Sequence, residues 1–149
     1  MDNAKLKIKD AELRADHPDW TDQQVADNLN AETVTQTYSR FVTYRTLLSE
    51  LPIEQAMTII AKIKATAAAD PDGVLGVIAP SLEDTAEGCG IDMSNANART
   101  FIDGLVATKV LTADEGAAVK GMAERLISWA TANGLPPVGP HHVEYARSN

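Results

Sequence analysis

The stretch IEQAMTIIAKIKATAAA, residues 53–69, decides the fold class. Its larger apolar residues recur at intervals of three, four and seven, which is the spacing of one face of an α-helix. Pro52 precedes the stretch and the turn sequence DPDG (70–73) follows it, and both are typical helix limits. We therefore predict a helix over 53–69 and, working outward, a helical protein.

Two capping boxes mark helix starts on either side of this stretch. Thr21 with Gln24, and Thr112 with Glu115, have the spacing at which each side chain binds the other residue's backbone N–H. The second box is predicted to begin a long helix that continues to about Ala132. The other predicted helices lie at 6–15, from 22 to about 30, after Thr43, at 73–82 (short and buried), from Asp92 or Ser94, and at 141–147.

Residues 31–42 have a different pattern. Their stretch TVTQTY (33–38) alternates and is rich in β-branched residues, which favours an extended backbone. No second strand is evident in the sequence. The predicted fold is mainly α, a compact bundle of about six to seven short helices with one extended segment near 31–42. We expect a single helical domain, 1–149, with a possible subdomain boundary in the acidic, glycine-containing linker 83–92.

The charge balance disfavours whole classes of partner. The formal net charge is −8 and the pI about 4.7, so the chain repels phosphate backbones and anionic membranes. The basic cluster of Lys5, Lys7 and Lys9 is interpreted as a solvated face. No apolar run approaches the roughly 20 residues of a membrane span, and the N-terminus lacks the apolar region of a secretory signal. We expect a soluble protein without membrane association.

No pattern of catalytic or metal-ligating residues is present. Neighbouring histidines such as His141 and His142 diverge by about 100° on a helix, so they rarely bind one metal. The glycines lack phosphate-binding spacing. Cys89 is the single cysteine, so no intramolecular disulfide forms, and the sequence assigns it no role. We expect a protein that is not an enzyme and has no cofactor, no metal and no small-molecule substrate.

Residues 21–40 offer an alternative. A helix at 21–30 followed by a second from Thr33 would resemble a helix-turn-helix, with Gln36 and Arg40 offered to bases. The β-branched residues of the second segment and the surrounding acids, such as Asp22 and Asp27, argue against nucleic-acid binding.

From about Trp20 to the end, the chain resembles a family of small uncharacterised proteins of tailed bacteriophages, encoded near virion structural genes. The order of several short motifs carries the resemblance. They are WTDQQVADNLN (20–30), the threonine-rich segment and helix of 33–51, DMSNANAR (92–99), LTADE (111–115), GLPPV (134–138) and HVEYAR (142–147). The segment LISWA (126–130) departs from the family's pattern.

The resemblance implies a non-enzymatic structural or assembly protein that docks on head, neck or tail components. Its partners would be phage virion proteins or further copies of itself, in the bacterial host cytoplasm during assembly or in the virion. An alternative is an acidic inhibitor or modulator of a host protein, which the charge of −8 suggests. The predicted partner-binding residues are Tyr38, Arg40, Trp129, His141, His142, Tyr145 and Arg147.

Overall fold

A computed structural model describes residues 1–83 and 89–149. The protein is mainly α, as predicted, with 63% of the described residues in helices. The described helices are α1 (Asn3–Asp16), α2 (Asp22–Asn30), α3 (Tyr44–Glu50), α4 (Ile53–Ala69), α5 (Val74–Glu83), α6 (Ala96–Ala107), α7 (Ala113–Gly121), α8 (Trp129–Ala132) and α9 (Pro140–Ser148). The described strands are β1 (Glu32–Thr37), β2 (Phe41–Val42), β3 (Ile91–Asp92) and β4 (Glu124–Ser128).

The chain forms two compact units. Residues 1–36 and 126–149 make up what we call the terminal unit, and residues 37–125 make up the central unit. The single domain over 1–149 with a subdomain boundary in the linker 83–92 stays a prediction. Within that linker, 84–88 lie outside the described residues.

The terminal unit consists mainly of α1, α2, α8 and α9, with α9 packed on α1 and α2. The capping box at Thr21 is confirmed, because its hydroxyl accepts from the Gln24 N–H at 3.3 Å and the Gln24 carboxamide oxygen accepts from the Thr21 N–H at 2.8 Å. Gly134, just after the end of α8, has a φ of +71°, a left-handed conformation that favours glycine and ends the helix. The buried core is Leu6, Val25, Ala26, Leu29, Ala130, Leu135, Val138, Val143 and Ala146.

The central unit holds the helix of 53–69, confirmed as α4, which packs on α3 and α5, while α6 packs on α7. The predicted start at Thr43 and the box at Thr112 are both present. The short strands β2 and β3 pair antiparallel, with Phe41 opposite Asp92 and Val42 opposite Ile91. The predicted helix at 73–82 forms as α5, but it is not wholly buried, because Val74 is 60% and Val77 67% exposed.

The long helix predicted from Thr112 to about Ala132 is wrong. Helix α7 ends at Gly121, strand β4 follows, and the short α8 completes the segment. The cause is non-local. Strand β1 needs a partner for its backbone groups, and it pairs with β4 in a two-stranded sheet.

The helix-turn-helix interpretation is also wrong. Its second helix would begin at Thr33, where the described backbone forms β1. The extended segment predicted near 31–42 is confirmed instead, as β1 and β2. Among the described residues, no helix has the length and apolar character needed to cross a membrane.

Candidate functional site

An apolar cavity of about 250 Å³ lies within the central unit. Helices α5 and α6 supply most of its wall, and α3, α4, α7 and both short strands complete it. The lining residues are Val42, Leu47, Ile63, Val74, Leu75, Ile78, Leu82, Ile91, Met93, Asn97, Ala98, Phe101, Ile102, Leu105 and Val119. Asn97 is the one polar side chain among them.

Helix α5 owes its position to Gly76. A Cβ built at this residue would lie 2.2 Å from the carbonyl oxygen of Pro71, which is a severe clash, so only glycine lets α5 pack this closely against the turn after α4. Residues Leu75, Ile78 and Leu82 then follow one face of α5 at helical spacing and line the cavity. On α6 the small side chain of Ala98 stands in the wall and leaves the space open.

The cavity meets the surface at the start of α5. Val74 lines the wall and is 60% exposed. A second hollow, of about 240 Å³, shares Val74, Leu75, Phe101 and Leu105 with the cavity and extends to Asp70 in the turn after α4. A ligand that enters the cavity at Val74 would therefore pass the second hollow, which Asp70 also lines.

This arrangement has the shape and the lining to accommodate an apolar group. A cavity of about 150 Å³ lined by aliphatic and aromatic residues stays dry and takes up benzene, so a volume of about 250 Å³ accommodates one aromatic or branched aliphatic group. Its walls carry no nucleophile, acid or base. In the described parts of the chain, no group of three or more His, Cys, Asp or Glu side chains is placed to hold a metal ion.

Two of the predicted contact residues, Tyr38 and Arg40, lie together in the central unit. The Arg40 guanidinium donates to the Met122 carbonyl at 2.9 Å and to the Tyr38 hydroxyl at 3.3 Å. It also forms an ion pair with Glu50, and its backbone N–H donates to the Asp92 carboxylate at 3.1 Å. Arg40 therefore fixes the chain around β2 and β3, and its donors are engaged within its own unit.

In the terminal unit, the structure brings His141 and His142 together at the start of α9. Their ring centroids are 3.8 Å apart. The His142 Nδ1 accepts from the Gly139 N–H at 3.0 Å and so helps to cap the helix. Burial, followed by the charge of His141, lowers the pKa of His142. Tyr145 is 57% exposed on the same helix.

Arg147, also on α9, binds the Asp22 carboxylate through two hydrogen bonds of 2.7 and 3.1 Å. Asp22 in turn accepts from Arg14. The hydrogen bond from Arg147 is the main cause of a lowered Asp22 pKa, and the charges of Arg147 and Arg14 add to it. Arg147 thus holds α9 against the first turn of α2.

Trp129, the last predicted contact residue, packs half-buried against the terminal core. It also lines a shallow hollow of about 190 Å³ together with Ile8 on α1. Lys5, Lys9 and Glu12 line the rest of that hollow. Ile8 is 63% exposed. The predicted contact residue Trp129 therefore lies beside an accessible apolar surface.

The cavity of the central unit was not predicted from the sequence. One signal could have indicated it. The stretch VLGVIAP (74–80) has no charged residue. A helix of this composition has more apolar side chains than one buried face holds, and two of its valines are exposed. Comparison with known protein families, with curated proteins and with solved structures finds no match for this chain.

Proposed function

We propose that this chain is a non-enzymatic assembly protein of a tailed bacteriophage, and that it docks on a head, neck or tail component in the host cytoplasm. The observation that carries the docking role is the apolar cavity that reaches the surface at Val74. The phage context comes from the sequence resemblance.

The cavity suits one kind of contact. Protein interfaces gain most of their free energy from a few apolar anchors that fill desolvated pockets. The wall around Phe101 and Ile102 offers such a pocket, and its volume suits one aromatic or branched aliphatic side chain. Asp70 at the adjoining hollow favours a partner segment that carries a basic residue next to this anchor.

The alternative of an acidic inhibitor has less support. Mimicry of a nucleic acid needs carboxylates that are free to meet a basic surface. Nine acidic side chains of this protein are instead engaged in ion pairs with its own lysines and arginines.

The proposal is tested on phage particles and assembly intermediates purified from infected cells that make this protein. Mass spectrometry is expected to find the chain in the particles or in the intermediates. Its absence from both overturns the assembly role.

A matched pair of variants tests the cavity itself. Ala98→Leu fills part of the space, whereas Ala65→Leu makes the same change at an exposed position of α4. We expect Ala98→Leu to lower the amount of protein that co-purifies with particles by about tenfold, equivalent to about 1.4 kcal/mol of binding free energy, and Ala65→Leu to leave it unchanged. Circular dichroism establishes that both variants fold. If equal amounts of the two variants co-purify with particles, the cavity is not the docking site.

A further inference from the structure

Strand β1 has one edge turned toward β4 and one turned away from it. The Tyr38 N–H, directly after the strand, donates to the carbonyl of Ala123, directly before β4, at 2.9 Å. Backbone groups of successive strand residues point to opposite edges. The N–H and C=O groups of Thr33, Thr35 and Thr37 therefore point to the outer edge.

This outer edge lacks a strand partner among the described residues, because the sheet there contains β1 and β4 alone. The Thr33 N–H donates to the Ala31 carbonyl at 2.9 Å. In the described chain, no hydrogen bond outside this sheet reaches the backbone of Thr35 or Thr37. The side chains of all three threonines are exposed.

The edge also lacks two of the features by which proteins prevent edge strands from pairing with other chains. Such edges usually carry a proline, an outward lysine or a bulge. The sequence of β1, ETVTQT, contains neither a proline nor a lysine, and its single charged residue is Glu32 at one end. A six-residue, β-branched, nearly uncharged strand is a ready template for pairing with another strand.

We infer that β1 pairs antiparallel with β1 of a second copy of this chain, about a two-fold axis through Thr35. The two β1–β4 sheets then join into one four-stranded sheet. In this register Thr35 lies opposite Thr35 of the second copy, and Thr33 lies opposite Thr37. The free groups match, since each Thr35 exchanges both its hydrogen bonds with its counterpart and each Thr37 N–H donates to a Thr33 carbonyl.

The side chains explain why the occupant is a second copy. Self-pairing places threonine against threonine at each outward position, and such cross-strand pairs stabilise a sheet. The same register places Glu32 opposite Tyr38, so the two glutamates lie far apart at opposite ends of the new strand pair. A closed two-fold pairing also consumes the edge and stops at a dimer.

The expected dimer is weak, because a single strand pair buries less surface than a standard interface. Sedimentation velocity of the whole chain, measured from about 5 µM to 1 mM, is expected to show a reversible monomer–dimer equilibrium with a dissociation constant of tens to hundreds of micromolar.

Charge substitutions at the axis make the test specific. Thr35→Lys and Thr35→Glu each place like charges opposite one another and are expected to raise the dissociation constant at least tenfold. An equimolar mixture of the two variants is expected to regain dimers, because opposite charges then meet at the axis. Thr58→Lys, the same change at an exposed site on α4, is the control and is expected to dimerise as the unmodified chain does.

Three results overturn the inference. They are a chain that stays monomeric to 1 mM, a Thr35→Lys variant that dimerises like the control, and a mixture that stays monomeric while the unmodified chain dimerises. The inference stands apart from the docking role, because Ala98→Leu changes the cavity and leaves β1 untouched.

Discussion

The terminal unit and the central unit are stabilised in different ways. The terminal unit has nine buried apolar core residues and adds a network of charged groups. The central unit has fifteen buried apolar core residues and keeps an apolar cavity of about 250 Å³ among them. Ion pairs join helices in both units, but those of the terminal unit converge on one carboxylate, that of Asp22.

The charged network of the terminal unit joins three helices. The Arg14 guanidinium on α1 donates to Asp10 at 2.7 Å and also binds Asp22 on α2. Arg147 on α9 binds the same Asp22. Asp10 is only 3% exposed, so Arg14 is the partner that compensates the burial of its carboxylate. The difference between the units predicts that they respond differently to changes in packing and in charge.

The largest effect is expected from Leu6→Ala in the terminal core. Leu6 is fully buried, and its truncation is expected to lower the free energy of unfolding by about 2–5 kcal/mol. Both tryptophans, Trp20 and Trp129, lie in this unit, so tryptophan fluorescence during urea unfolding follows it. Ile8→Ala on the same helix, at a site 63% exposed, is the control and should cost no more than about 0.5 kcal/mol. Similar losses for the two variants would contradict the packing described for α1.

The next largest effect is expected from Arg14→Met. This change leaves the buried Asp10 carboxylate without its partner, which is expected to cost about 2–3 kcal/mol. Replacing both members, with Arg14→Met and Asp10→Leu in one chain, should recover at least half of the loss, because no unpaired charge then remains. If the double variant has the same free energy of unfolding as Arg14→Met alone, the ion-pair network stabilises the unit by more than the cost of burying its own charges.

Local signals account for what the sequence predicted correctly. The boxes at Thr21 and Thr112 depend on residues three positions apart, so they are visible in the sequence and present in the structure. The limits of α4 follow from periodicity and flanking turns in the same way. Strand β4 depends instead on a partner about ninety residues away, and periodicity alone favoured a helix there.

The functional residues were harder to predict for a related reason. Tyr38, Arg40 and Arg147 are conspicuous in the sequence as large or charged side chains, but the structure occupies them with partners inside their own units. The cavity is a space that the side chains of several helices and strands leave unfilled. A difference of one methyl group in a side chain decides whether such a space is filled. The spacing of residues along the sequence does not contain this information.

Replacing an alanine by leucine is expected to change the free energy of unfolding differently in the two units. Ala26→Leu in the terminal core adds bulk where no space exists and should cost about 1–3 kcal/mol. Ala98→Leu adds the same bulk beside the cavity and should leave the free energy of unfolding unchanged or raise it by up to about 1 kcal/mol. Urea unfolding followed by circular dichroism measures both. An equal loss for the two variants would mean that the cavity is not available to the added side chain.

The smallest effect concerns the charge of Asp22. Its pKa is lowered mainly by the hydrogen bond from Arg147 and then by the charges of Arg147 and Arg14, which outweigh its partial burial. The folded-state pKa thus lies below the unfolded value of about 3.9. The ionised form stabilises the fold above that value, and this contribution is lost as the pH falls through the folded-state pKa.

Asp22→Asn is therefore expected to flatten the decline in the free energy of unfolding between about pH 5 and pH 2, by no more than about 1 kcal/mol because the side chain is 25% exposed and screened by salt. Tryptophan-detected urea unfolding at stepped pH measures the slope. Asp19→Asn, at a neighbouring exposed acid, is the matched control and should keep the slope of the unmodified chain. An unchanged slope in Asp22→Asn would show that the hydrogen bonds from Arg147 do not stabilise the ionised Asp22, and that α9 is held by its apolar contacts through Val143 and Ala146.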